Sequence, residues 1–262
     1  MSARAFYCES EIVSSRGHVF RFNTLTDKGL PCRGGVLKER QAFLVCTIAG
    51  LLSFGMVGVL LVIYPVRVPS AETAFLPPAL ALQFATSRQD ILAIFGASGS
   101  AERQAITQSM LMGNRVDYGF MAIYAVFLAL FFHGQRLKTD LRAWWTVIPM
   151  IALVLVFDAL ENQVLSHISL SPDGPMLGRQ LLEMQLFSWA KWSMLAVISA
   201  VAAMAFLARG AFVLGALCLP PLLLVLPAYQ SPGTSAVYLV LGVGLSWIVM
   251  LAHAIKRSQL LN

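Results

Sequence analysis

Asp117, Asp158, Glu161, Asn162 and Lys191 are polar residues set within otherwise apolar segments. Three of them fall in Phe157-Asp158-Ala159-Leu160-Glu161-Asn162, late in a run from Trp144 to Leu165 built mainly of Val, Ile, Leu, Met, Ala and Phe. Placing an ionisable group in a bilayer costs at least about 2.5–3.5 kcal/mol, so such residues persist with partners, water or a function. A lysine among carboxylates in a partly dry site is what general acid/base chemistry or proton-coupled ligand binding requires. Three carboxylates facing one lysine cannot all ionise cheaply there.

The elements that position these residues are membrane spans. The chain has 262 residues, 58% of them hydrophobic and 12% charged, with a mean hydropathy of +0.72. A soluble domain carries about twice that share of charge. The composition therefore predicts an all-α polytopic bundle. The net charge of +6 is that of a membrane protein with basic loops, and no basic run interleaved with aromatics points to nucleic acid.

A span needs roughly 20 apolar residues. Six segments meet or approach this: Gln41–Tyr64, Val116–Phe132, Trp144–Leu165, Leu186–Ala208, Ala211–Leu226 and Ser235–Ile255. The fifth is short and holds Pro220-Pro221, which predicts a kinked or partly unwound helix. With six spans, one side collects Arg4, Arg16, Arg21, Lys28, Arg33, Lys38 and Arg40, then Arg136, Lys138 and Arg142, then Arg209 and Lys256-Arg257. The positive-inside rule makes that side, with both termini, cytoplasmic. The setting expected is a bacterial inner membrane, with the lipid bilayer as the first partner and protein partners left open. Trp144-Trp145 and Trp189 then fall at opposite interfaces.

Residues 1–40 form a basic tail without an apolar region, unlike a signal peptide. Arg33-Gly34-Gly35 before Val36 also fits a purine-rich ribosome-binding site ahead of a GTG start, which would make residues 1–35 an extension of the native chain. Residues 41–262 form the membrane domain. Its extracytoplasmic stretch, Pro65 to Arg115, holds two helix signals. Thr86-Ser87-Arg88-Gln89-Asp90 opens a short capped helix ending at Gly96, and Ser100-Ala101-Glu102-Arg103 opens another running toward Gly113. Two arrangements fit: a helical cap over the bundle mouth, or amphipathic helices lying on the bilayer.

Depth decides whether the polar residues can meet. At about 1.5 Å per residue, Asp158 and Glu161 lie roughly 21 and 25 Å from Trp144, Asp117 about 24 Å from His133, and Lys191 about 27 Å from Arg209. All fall in the outer half of a core about 30 Å thick. Faces agree too. Asp158, Glu161 and Asn162 share one side of a helix; Asp117, Met121, Tyr124 and Leu128 share another; Lys191 stands with Phe187 and Leu195, beside Ser188 and Trp192. Packing spans two, three and four together predicts one outward-facing polar pocket, with Arg115, Arg179 and Trp192 as rim candidates.

A structural reading stands beside the functional one. Buried polar contacts between membrane helices contribute about 0.6–2 kcal/mol each as interhelical fasteners. Asp117 also fits a helix cap, and Lys191 a side chain that snorkels outward. The scattered residues Cys8, Cys32, Cys46 and Cys218 form neither a disulfide framework nor a metal motif. His133 and His253, at inner span ends, fit interfacial residues better than haem ligands. No metal or other cofactor is implied.

The run Ile91-Leu92, Gly96, Asn114-Arg115-Val116-Asp117-Tyr118-Gly119-Phe120 and Tyr124, followed by Asp158-Ala159-Leu160-Glu161-Asn162, resembles a pattern in uncharacterised bacterial multi-span membrane proteins. There an extracytoplasmic helical loop leads into an Asp-x-x-Phe-x-x-x-Tyr helix, and the next helix carries Asp-x-x-Glu-Asn. The resemblance covers roughly residues 85–195; it implies an inner-membrane location and brings no established activity. The Asp/Glu/Asn set is also similar to the carboxylate-lined lipid pocket of sterol-isomerase-like four-span proteins, though span count and spacings differ, so only an analogy follows.

Three functions are expected from these residues. The first is a pocket that binds or transports a small or lipid-like ligand, with proton exchange at Asp158 or Glu161 and Lys191 holding an anionic group or a neighbouring carboxylate. The second is an enzyme acting on a membrane-embedded substrate, with Glu161 as acid/base and Asn162 orienting it. The third is an accessory subunit whose charges are structural.

Overall fold

The computed structural model describes residues 8–13, 19–24, 33–65, 77–136 and 144–260, and side chains from Glu39 onward except at Trp144, Trp145 and Leu260. Lys138, Arg142 and much of the basic tail therefore lie outside the described residues, as do the side chains of the tryptophan pair expected at one interface. Within the tail, β1 (Cys8–Val13) and β2 (Val19–Thr24) pair antiparallel, with Cys8 opposite Thr24.

Six candidate spans follow, so the chain is a multi-pass membrane protein with an all-α membrane domain. Span one is α1 (Arg33–Ile63), span two α4 (Ala101–Arg136), span three α5 (Trp144–Leu170) and span four α6 (Leu177–Leu207). Span five is broken at Leu219 into α7 (Phe212–Cys218) and α8 (Pro220–Gln230), as Pro220-Pro221 predicts. Span six is α9 (Pro232–Leu260). Packing runs as a closed ring: α1 against α4, α4 against α5, α5 against α6, α6 against α7 and α8, and these against α9, which returns to α1. Leu44, Ile48, Leu52, Val156 and Leu223, on the outside of this ring, remain exposed where hydrocarbon would cover them.

The start of α1 and the end of α9 share one end of the bundle, since the Phe43 and His253 rings lie 5.8 Å apart. The α6–α7 turn is at this terminal end as well. It closes through Gly210 at φ +72°, a left-handed position suited to glycine. Arg209 beside it donates to the Gln135 side chain and, at 3.0 Å, to the Gln135 carbonyl at the end of α4.

At the opposite end, the helices extend beyond their apolar windows. The helix opened by Ser100 does not stop near Gly113 but runs uninterrupted into span two. Ser100 caps it by accepting from the Arg103 amide at 3.1 Å. Hydropathy marks only the length of helix that lies in hydrocarbon, so polar outer turns escape it. Two short helices, α2 (Pro78–Gln83) and α3 (Arg88–Phe95), pack on these turns. Ser87 and Asp90 form a capping box at the start of α3, and Gly96 at φ +74° ends it. Leu82, Ile91 and Phe95 are fully buried with Met110, Ile168 and Met184 in a second core. Of the two arrangements expected, the helices thus form a cap packed onto the bundle. Arg103 reaches Asp173 at 2.7 Å and ties α4 to the α5–α6 turn.

Candidate functional site

α5 presents Asp158, Glu161 and Asn162 on one buried face. From α6, Lys191 Nζ donates to Asp158 Oδ1 at 2.9 Å and to Glu161 Oε1 at 2.7 Å, with all three side chains at most 8% exposed. From α4, the Tyr124 hydroxyl donates to Asp158 Oδ2 at 2.6 Å, so both Asp158 oxygens are engaged. Ion pairs so deeply enclosed need such added hydrogen bonds to offset desolvation. Glu161 Oε2 and Ser188 Oγ both lack a well-formed partner, although the Ser188 hydroxyl stands beside Glu161.

Asp117 is held differently. Asn162 Nδ2 donates to its Oδ2 at 2.7 Å and lies 3.4 Å from Met121 Sδ. Among the described residues no cation pairs with Asp117. A hydrogen-bonded chain braces this side: Tyr64, just past the end of α1, donates to Asn114 Oδ1 at 2.9 Å, Asn114 Nδ2 to Ser166 Oγ at 3.2 Å, and Ser166 Oγ to the Asn162 carbonyl at 2.8 Å.

These residues border a cavity of about 780 Å³. Asp117, Asp158, Asn162 and Lys191 form its polar wall, and Phe120, Tyr124, Leu195 and Trp247 are apolar or aromatic neighbours. Tyr124 and Trp247 pack with centroids 5.3 Å apart, and Phe120 lies 5.2 Å from Tyr124. α2 contributes Leu80 and Gln83; the latter accepts from Trp192 Nε1 at 3.2 Å. α1 contributes Val57 and Leu61, Tyr64 follows just past its end, and α9 contributes Leu241, Gly244 and Leu245.

The five polar residues predicted to meet do meet, with Tyr124 and Trp192 beside them. Three other expectations are corrected. Arg115 is exposed and does not line the cavity, because residues two apart on a helix point about 200° apart and Asp117 takes the inward face. Arg179 pairs with Glu183 at 2.7 Å on the surface, about 18 Å along α6 from Lys191. Glu161 is fully buried behind Lys191 and is not part of the cavity surface, so a substrate there would not reach it as an acid or base.

Two relationships were not legible in the chain. α1 and α9 wall the cavity as much as spans two to four do, and the break in span five is not at it: α7 and α8 contribute no lining residue. Tyr64 and Trp247, polar-tipped rings near or within apolar spans, were the available signals. Among the described residues no three His, Cys, Asp or Glu side chains converge to hold a metal, and Lys191 Nζ fills the place between Asp158 and Glu161. The chain matches no family model, no curated protein and no solved structure.

Proposed function

We propose that this protein is an inner-membrane binding protein for a small or lipid-like ligand, taken into an outward-facing pocket between α1, α4, α5, α6 and α9. The observation that carries the reading is a cavity of about 780 Å³, large enough for a small molecule, with an apolar surface and four convergent polar side chains. The concentration of Arg136, Arg209, Lys256 and Arg257 at the terminal end supports cytoplasmic termini, hence a pocket facing outward.

Lys191, Asp158 and Glu161 act mainly as the fastener between α5 and α6, and Asp117 with Asn162 forms the ligand-facing side. Binding is favoured over passage because Tyr124, Phe127 and Trp247 pack together on the terminal side of the cavity.

Native mass spectrometry of protein purified from its own membrane tests this. The expected result is a co-purifying small molecule on the wild type that is lost in Leu80→Trp, which fills the cavity from α2. A bare wild-type protein, with a melting temperature no lipid extract raises, would favour the purely structural account.

A further inference from the structure

The cavity has a side as well as a mouth. α1 is held tightly to α4 near both of its ends. A Cβ on Gly134 would lie 2.9 Å from the Phe43 ring, and Gly113 is covered by Tyr64. α1 also meets α9 closely at mid-span, where a Cβ on Gly50 would lie 2.8 Å from Leu251. Toward the cap the same two helices part. There Leu61 on α1, with Leu241 and Ile248 on α9, line the cavity while remaining 55%, 62% and 53% exposed on the bundle surface. Gly244, between them on α9, has open space where a Cβ would be. The cavity wall and the hydrocarbon-facing surface are thus continuous through a gap between α1 and α9.

The polar wall is selective by its hydrogen-bonding sense. Its cation, Lys191, is already shared between two carboxylates. The Asn162 amide already donates to Asp117, and the Tyr124 hydroxyl donates to Asp158. The carboxylate on this wall without a cation of its own is Asp117, next to the Phe120, Tyr124 and Trp247 rings. An anionic head group seated there would meet like charge. A head group carrying O–H or N–H would find an acceptor, and an ammonium would gain ring faces as well.

We infer that a single-chain amphiphile with a hydrogen-bond-donating, non-anionic head group, an amine or an alcohol, enters sideways between α1 and α9 and seats its head against Asp117. The inference rests on the pocket reading above and adds the route and the head-group chemistry. The apolar chain stays along Leu61, Leu241 and Ile248, so only the head leaves the bilayer environment. No bond is made or broken.

Three probes with the same brominated alkyl chain and an amine, alcohol or sulfate head test it. They are titrated into the protein in phosphatidylcholine nanodiscs, and the tryptophan quenching absent in Trp247→Phe is read. Saturable quenching by the amine and the alcohol is expected, with the sulfate weaker by about tenfold or more, the scale of one charge-assisted hydrogen bond. Asp117→Asn should weaken the amine by about tenfold while changing the alcohol little.

Gly244→Phe, whose side chain grows into the gap, should slow uptake of the amine by at least about tenfold, the effect of one added steric barrier of that size. Leu241→Trp is the second plug should Gly244→Phe fold poorly. Equal saturable binding of all three heads would overturn the head-group assignment and leave the pocket. Wild-type uptake rates in a folded plug variant would overturn the side entrance. Saturable quenching by none of the probes would overturn the inference; a co-purifying ligand in the mass spectrum would show that the pocket reading had survived it.

Discussion

Asn162 on α5 donates to Asp117 on α4 at 2.7 Å, while its neighbour one turn back, Asp158, is bound to Lys191 on α6 at 2.9 Å. One helix face therefore serves two purposes. Its Asp158–Glu161 side is consumed by an ion-paired fastener, and its Asn162 side stabilises a carboxylate that has no cation of its own. The division yields separate predictions for the two groups.

Lys191→Met should destabilise the protein strongly. It leaves Asp158 and Glu161 enclosed without their shared cation, and breaking a buried pair by removing one partner costs about 3–5 kcal/mol. Thermal unfolding in a mild detergent should show a large drop for Lys191→Met. Asp117→Asn, which removes no ion pair, should shift the midpoint little; equal shifts for the two would contradict the division.

Tyr124→Phe keeps the ring packing on Trp247 and Phe120 but removes the hydroxyl that donates to Asp158. A hydrogen bond to a buried charged group contributes about 1.5–3 kcal/mol, so a loss in that range is expected. A chemical-denaturant series on wild type and variant measures it, and a loss under about 0.5 kcal/mol would mean that solvent or Lys191 replaces the hydroxyl.

Gly113→Ala should loosen the brace between α1 and α4. The added methyl group meets the Tyr64 ring, which must swing away from Asn114 or push α1 outward; overpacking of this kind costs about 1–3 kcal/mol. Cysteine cross-linking between α1 and α4 near the cap, slower in the variant than in wild type, is the expected readout. Gly55→Ala, where a Cβ meets nothing, is the matched control.

The cap should respond to acid through Asp90. Burial opposes its charge, but hydrogen bonds from Thr86 and Ser87 outweigh that and hold its carboxyl below the usual aspartate range. A depressed value means that the contribution is present above the unfolded aspartate pKa of about 3.9 and is lost as pH falls through the lower folded value. The protection of α3 amides, taken relative to their intrinsic exchange rates at each pH, should therefore fall below about pH 3.9 in wild type. In Asp90→Asn that protection should be lower at neutral pH and nearly independent of pH across that window.

The sequence by itself determined the spans, the break at Pro220-Pro221, the capped helix opening at Ser87, and the common depth of Asp117, Asp158, Glu161 and Lys191. Each depends on local chemistry: the length of apolar runs, the missing proline amide, side-chain caps and the 1.5 Å rise of a helix. Helical period also told which residues share a face, and the Lys191, Tyr124 and Asn162 contacts follow from those faces.

Tertiary structure alone decided which helices are neighbours. In a bilayer, the apolar residues that face lipid and those that face protein are chemically alike, so Val57 and Leu241 gave no sign that they border a cavity. It also decided which acid is spent and which is open: Glu161 and Asp117 read alike in the chain, but only one of them lies where a lysine from α6 can reach it.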